Sequence, residues 1–195
     1  MNTPVNTPAN PHVGMAPSPW IVRFAHLVPA GACVLDLACG YGRHARFFAA
    51  RGAQVLAVDC DAAALATLAG TPGIDVRQAD LEDEAWPLGG QRFDAIVVSH
   101  YLHRPLFPAL RAALGPHGTL LYETFAQGNE AYGRPSNPDF LLRPGELLAL
   151  AASPPDALGV VAFEQGRVEL GGRPAVLQRL AAIGPERAWP PVLDA

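Results

Sequence analysis

The chain has 195 residues, 50% of them hydrophobic and only 16% charged, with a formal net charge of -4. That length suits one domain with a core of its own, and no apolar run approaches the ~18 residues of a membrane-spanning helix. The 14 Lys and Arg are spread too thinly to match a long polyanion, so neither a nucleic-acid nor a membrane partner is expected.

The opening MNTPVNTPANPHVGMAPSP has neither a basic n-region nor an apolar h-region, so it reads as a disordered lead over residues 1–17 rather than a targeting signal. A single domain over 18–195 follows. Pro19 opens a short amphipathic helix through WIVRFAHLV, stopped by Pro29 and Gly31. Then comes an alternation: ACVLDLA as strand, RHARFFAARG as helix closed by Gly52, QVLAVD as strand, DAAALATLAG as helix capped by Asp61, and IDVRQAD as strand. RFDAIVVSH is the fourth strand, PLFPALRAAL a helix, and GTLLYETF the fifth strand, with Gly115, Pro116 and Gly118 turning between the last two. Continuous apolar strands separated by helices imply a parallel sheet covered on both faces. Residues 124–142, TFAQGNEAYGRPSNPDFLL, form a long polar loop of the kind that a compact domain keeps for use. RPGELLALAA then reads as a helix, and ALGVVAFEQG and RPAVLQRLAAI as two strands near enough to pair. The expected fold is α/β: a doubly wound, Rossmann-like sheet of seven strands, mostly parallel, with a C-terminal antiparallel hairpin. Cys33, Cys39 and Cys60 follow no metal-ligand spacing, so no metal is expected and they read as buried, reduced thiols of a cytoplasmic protein, taken as a monomer or weak homodimer.

In an open parallel sheet, ligands sit beyond the carboxyl ends of the strands at the switch point, which is where VLDLACGYGRH puts Gly40 and Gly42. Gly40, Gly42 and Ala45 fit G-x-G-x-x-A, and Asp59 lies 19 positions after Gly40, so a nicotinamide-dependent oxidoreductase is one reading. Against it, Asp36 stands at the strand end, where a carboxylate would repel a pyrophosphate. The same carboxylate suits a ligand with an ammonium, a sulfonium and no phosphate, which is S-adenosylmethionine. Asp80, in QADLE, ends the third strand where an adenine amino group can donate to it. DLACGYG, the acid in LAVDCD and the acid in QADLED, in order on strands one, two and three, resemble the successive cofactor motifs of the class I S-adenosylmethionine-dependent methyltransferases. The resemblance implies that Asp36, Ala38, Cys39, Gly40 and Gly42 wrap the methionine part, and that Asp59, with Cys60 beside it, takes both ribose hydroxyls. It further implies that Asp80 and Leu81 flank the adenine and that Ser99, ending strand four, joins the cofactor set.

Amino-group methylases of nucleic acids resemble one another in an Asn or Asp followed by Pro-Pro and an aromatic after strand four. Here Ser99-His100-Tyr101-Leu102-His103 stands instead, which points to a small-molecule acceptor. Within the superfamily the chain is similar to tellurite-resistance-type methyltransferases, with a Phe-x-x-x-x-Gly-Glu-Leu segment at Phe140 to Leu147. Methyl transfer from a sulfonium is an in-line displacement that asks mainly for alignment and exclusion of water. His100, Tyr101 and His103 are the catalytic candidates, either histidine being able to take an acceptor proton near neutral pH. Glu123, Tyr132, Arg134 and Asn137 are the candidate acceptor residues, Arg134 favouring an anionic group. Gly128, Gly133, Pro135 and Pro138 suit residues 125–140 to close as a lid, and Trp20 and Arg23 are placed to cover the cofactor from the first helix. A module that binds the cofactor without transferring its methyl is the remaining alternative.

Overall fold

The computed structural model describes residues 15–83, 86–154 and 156–193, so most of the expected disordered lead lies outside the described residues. Ser18 caps α1 (Pro19–Phe24) by accepting from the Trp20 amide, and Pro19 fills the first helical position, where an amide has no partner to lose. The helix tightens into a 3-10 turn at Ala25–Leu27 and stops short of Pro29. In the expected order come β1 (Cys33–Leu37), α2 (Arg43–Ala50), β2 (Gln54–Asp59), α3 (Ala62–Ala66), β3 (Ile74–Gln78) and β4 (Phe93–Ser99). α4 (Phe107–Ala113), β5 (Leu114–Phe125), α5 (Glu146–Ala152), β6 (Gly159–Leu170) and β7 (Arg173–Ile183) complete the chain.

The strands form one sheet ordered β3-β2-β1-β4-β5-β7-β6, parallel from β3 to β5 and antiparallel where β7 pairs with β5 and with β6. The order reverses between β1 and β4, which opens a crevice at their carboxyl ends. Side-chain alternation divides the central strands between two cores. Val34, Ala95, Val97 and Leu121 pack with Trp20, Ile21, Phe48 and Leu65 of α1, α2 and α3. Leu35, Leu37, Ile96, Val98 and Leu120 pack with Leu110, Leu147 and Leu150 of α4 and α5. Asp36 falls in this apolar frame at 1% exposure. His44 is also buried, and its Nε2 accepts from the Ser18 amide at 3.2 Å, tying the start of α1 to the first turn of α2.

Several boundaries differ from the sequence expectation, among them the end of α3, at Ala66 rather than Gly70, and the end of β6, at Leu170 rather than Gly166. β5 begins directly at Leu114 and takes in the residues expected to turn, because Leu114 pairs with Phe93 before the register slips to Ala95 and Thr119. Gly115, Pro116 and Gly118 occupy that irregularity rather than a separate loop. α5 starts at Glu146 and not at Arg143, since Gly145 stands at its N-cap with φ 70°, outside helical geometry.

Candidate functional site

β1 runs into a turn that needs unusual backbone. Ala38, Gly40 and Gly42 have φ of 53°, 53° and 69°, which for the alanine costs about 1 kcal/mol or more. At Gly42 the demand is double, because a Cβ would stand 2.5 Å from Leu68. Asp36 lies beneath the turn, its Oδ2 accepting from the Ala45 amide at 2.8 Å, and so supplies the cap that Gly42 at the N-cap of α2 cannot. Burial pushes its carboxyl up to about 7, with the Ala45 hydrogen bond and the Arg43 charge pulling the other way. Since an acid already holds that helix start, the Ala45 amide is not free for a pyrophosphate, and the dinucleotide reading loses its anchor.

Asp59 accepts from the Gly40 amide at 2.7 Å with one oxygen and from the Asp61 amide at 2.9 Å with the other. It binds β2 to the glycine turn and keeps acceptor capacity on both oxygens, which is what a pair of neighbouring hydroxyls requires. Asp80 is exposed, with one oxygen accepting from the Glu82 amide at 2.9 Å and acceptor capacity left on the other. Leu81 is buried in the α4 and α5 core, and Cys39 is buried with its thiol pushed up by desolvation. Cys33 and Cys60 are exposed, not buried as expected, because Cys33 opens β1 and Cys60 lies past the end of β2; the Cys60 carbonyl accepts from the Gln78 side chain at 3.1 Å.

The other half of the crevice is charged. Arg43 donates to Ser99 Oγ at 2.9 Å, Ser99 reaches Glu123 at 3.4 Å, and Arg179 pairs with Glu123 at 3.2 Å. Arg179 also meets Glu164 at 3.3 Å, and Arg23 meets the same carboxylate at 3.2 Å. Glu123, expected at an acceptor, is 2% exposed and serves as the buried centre of this network. Trp20 is buried too, its Nε1 donating to the Leu180 carbonyl at 3.3 Å, and the guanidinium groups of Arg23 and Arg179 lie 5.9 and 6.0 Å from its ring. Trp20 is therefore a wall behind the arginines rather than a cover over the turn.

His100 follows β4 at φ 57°, its amide bonded to the Glu123 carbonyl at 2.9 Å and its ring 5.1 Å from that of Phe125. It is exposed at the crevice mouth, yet the surrounding walls desolvate it enough to lower its pKa; Glu123 raises it, and Arg43 and Arg179 lower it. Tyr101 differs. Its hydroxyl is buried with no hydrogen-bond partner, and its phenol is pushed up by burial and by the charges of Glu82, Asp80, Cys60 and Asp59, the groups of the β2 and β3 ends. His103 stands at the N-cap of the 3-10 turn Arg104–Leu106 and makes no capping bond with its side chain.

Tyr132, Arg134 and Asn137 are exposed, and Asn137 accepts from the Asp139 amide at 3.1 Å. The loop that carries them is pinned at its base. Ala126 and Leu142 bridge, and buried Asn129 donates to the Pro135 carbonyl at 2.9 Å and accepts from the Val176 amide at 3.1 Å. Arg104 grips Glu146 at 2.6 Å and the carbonyls of Asp139 and Leu141 at 2.7 and 2.8 Å. The expected lid of residues 125–140 is thereby narrowed to its tip. Sequence reasoning misses Arg43, Glu164, Asn129 and Arg179, and only Arg179 leaves a signal, as a cation beside Gln178 in the middle of an otherwise apolar strand.

Residues 34–118 match a family model described as a methyltransferase domain, and no curated protein matches the sequence. The fold recurs in TehB from Haemophilus influenzae, with a TM-score of 0.70 and 18% identity, covering 84% of this chain and 61% of that one. This chain thus spans less than two thirds of that relative. An S-adenosylmethionine-dependent methyltransferase from Methanosarcina mazei gives a TM-score of 0.66 at 15% identity, over 87% of this chain and 99% of that one. The Burkholderia thailandensis 1,6-didemethyltoxoflavin-N1-methyltransferase, solved with 1,6-didemethyltoxoflavin and S-adenosylhomocysteine bound, gives 0.59 at 21%, over 85% and 76%.

Proposed function

We propose that the chain is a class I S-adenosylmethionine-dependent methyltransferase that methylates a small molecule by in-line transfer, a reading supported by the methyltransferase-domain match and the shared fold. The observation that carries the reading is the pairing of two unlike half-sites in one crevice. Acceptors suited to adenosine line β1 to β3, and a lowered-pKa histidine flanked by two arginines lines β4, β5 and β7.

The donor set fits the cofactor. Asp59 takes the ribose hydroxyls, Asp80 the adenine amino group, and the turn at Ala38, Gly40 and Gly42 the methionine part, with Asp36 as a buried acid beneath a cationic ligand. When bound, S-adenosylmethionine supplies a methyl already activated on its sulfonium. The protein's share is to align the acceptor and exclude water. His100, kept neutral, takes the acceptor's proton on its ring, and Arg43 and Arg179 favour an acceptor with an acidic or anionic group. Tyr132 and Arg134 close on that acceptor from the loop tip. The enzyme works in the cytoplasm as a monomer or weak homodimer, with neither nucleic acid nor membrane as substrate.

Labelled S-adenosylmethionine offered with thiols, oxyanions, phenols and carboxylates tests the reading. Label should enter one of these classes, and His100→Ala should lower the rate and erase an ionisation from its pH profile while S-adenosylhomocysteine affinity stays intact. Labelling of RNA or DNA in place of every small molecule would overturn it.

A further inference from the structure

Among the described residues, the buried side-chain nitrogens and oxygens without a hydrogen-bond partner belong to Tyr101 and Arg111. Arg111 lies between α4 and α5, away from the crevice, and its other terminal nitrogen holds the carbonyls of Ser153 and Asp156. Tyr101 follows β4 by two residues, and its phenol lies within reach of the charges of Asp59, Asp80 and Glu82 at the ends of β2 and β3.

We propose that the Tyr101 hydroxyl is the adenine-reading donor of the cofactor site, giving a hydrogen bond to a ring nitrogen while Asp80 accepts from the adenine amino group. The assignment rests on the cofactor reading above and goes beyond it, since sequence reasoning places Tyr101 with the catalytic groups. Adenine presents a donor, its amino group, beside ring nitrogens that only accept. A pocket of carboxylates alone satisfies the first and repels the second. Asp59, Asp80 and Glu82 are such a set, and the described side chain among them that brings an unspent proton is Tyr101. The phenol stays protonated because burial and those same acids resist its ionisation, so it donates at any working pH. Its backbone is fixed as well: the Tyr122 hydroxyl donates to the Tyr101 carbonyl at 3.0 Å, and the preceding His100 is locked at positive φ by its bond to Glu123. A donor held from both sides can discriminate. Inosine, which carries an oxygen in place of the amino group, would set an acceptor against Asp80, and, where N1 is the nitrogen read, its N1–H would add a second mismatch at the tyrosine.

Calorimetry with S-adenosylhomocysteine and its 1-deaza, 3-deaza and 7-deaza analogues tests this without any turnover. One analogue should bind the wild-type protein about five- to tenfold more weakly than S-adenosylhomocysteine does. Tyr101→Phe should weaken S-adenosylhomocysteine by the same factor and leave that one analogue unchanged, because the lost partners are two ends of a single bond. If every deaza analogue binds the wild-type protein as tightly as the parent, or if Tyr101→Phe and the sensitive analogue lose affinity additively, the assignment falls. Failure of the wild-type protein to bind S-adenosylhomocysteine at all would overturn the cofactor reading and this assignment with it.

Discussion

Between β1 and β3 the crevice is made of backbone amides and carboxylates whose positions follow from turns a few residues long. Between β4 and β7 it is made of Arg23, Arg43, Ser99, Glu123, Glu164 and Arg179, one from each of six elements. The first half is local and redundant: Asp59 is held by two amides, and losing one ligand contact leaves the turn standing. The second half is a chain of dependencies, in which each charge is tolerable because its neighbour is present. The β1–β3 half should therefore tolerate substitution with graded losses, and the β4–β7 half should fail abruptly.

The largest effect is expected at Arg179. Arg179→Met removes the ion-pair partner of buried Glu123, which should destabilise the fold by about 3 kcal/mol. Urea unfolding at pH 7 measures the loss, and a change below about 0.5 kcal/mol would show that the network is not cooperative.

Asp36 and His44 come next, because they pull stability in opposite directions. Asp36, raised from 3.8 to about 7, holds a proton that the unfolded chain has released, so its contribution is complete below pH 3.8 and fades as pH rises to about 7. His44, which burial lowers from 6.5 to about 3, refuses a proton that the unfolded chain accepts. Its contribution is complete above pH 6.5 and fades as pH falls. Between about pH 4 and 6.5 the two slopes, each about 1.4 kcal/mol per pH unit at most, oppose one another. Asp36→Asn should unmask a stability that rises with pH over that range, and His44→Gln one that falls. Equal pH profiles for both variants would remove the two groups from the balance.

Under the proposed cofactor reading, Asp59→Ala should weaken S-adenosylhomocysteine at least tenfold, an effect of about 1.4 kcal/mol or more, with the fold retained. Unchanged affinity by calorimetry would take Asp59 out of the site. The smallest effect concerns backbone strain. His100→Gly should be more stable than His100→Ala by about 1 kcal/mol, since only glycine relaxes at φ 57°. Equal melting temperatures would mean that the Glu123 hydrogen bond, not the side chain, sets that conformation.

The same contrast explains what the sequence could disclose. Asp36, Gly40, Asp59 and Asp80 are legible because a strand, a turn and an acid follow one another within a few residues, and chemistry at such spacing leaves a pattern. Arg43 meets Ser99 across 56 positions and Arg179 meets Glu123 across another 56, so their pairing is written in the sheet order rather than in any window of sequence. Asn129 looks like an ordinary polar loop residue, and its burial appears only once β7 passes behind the loop. Element order is readable from alternation, whereas the start of β5 and the end of β6 are not: Gly115, Pro116 and Gly118 signal a turn, and it is pairing with β4 that draws them into the strand, as pairing with β7 carries β6 on to Leu170.

β7 follows β6 in the chain, yet it lies inside the sheet between β5 and β6. A growing chain therefore completes β1 to β5 and the whole glycine turn while the far edge of β5, with Leu120, Leu121 and Tyr122 along it, still has no neighbour. Bare apolar strand edges recruit other chains, so the interval before residues 173–183 leave the ribosome is the period of greatest aggregation risk. The arginine that completes the β4–β7 half arrives on the same segment that closes this edge. The charged network around Glu123 and protection from aggregation are thus acquired in one event.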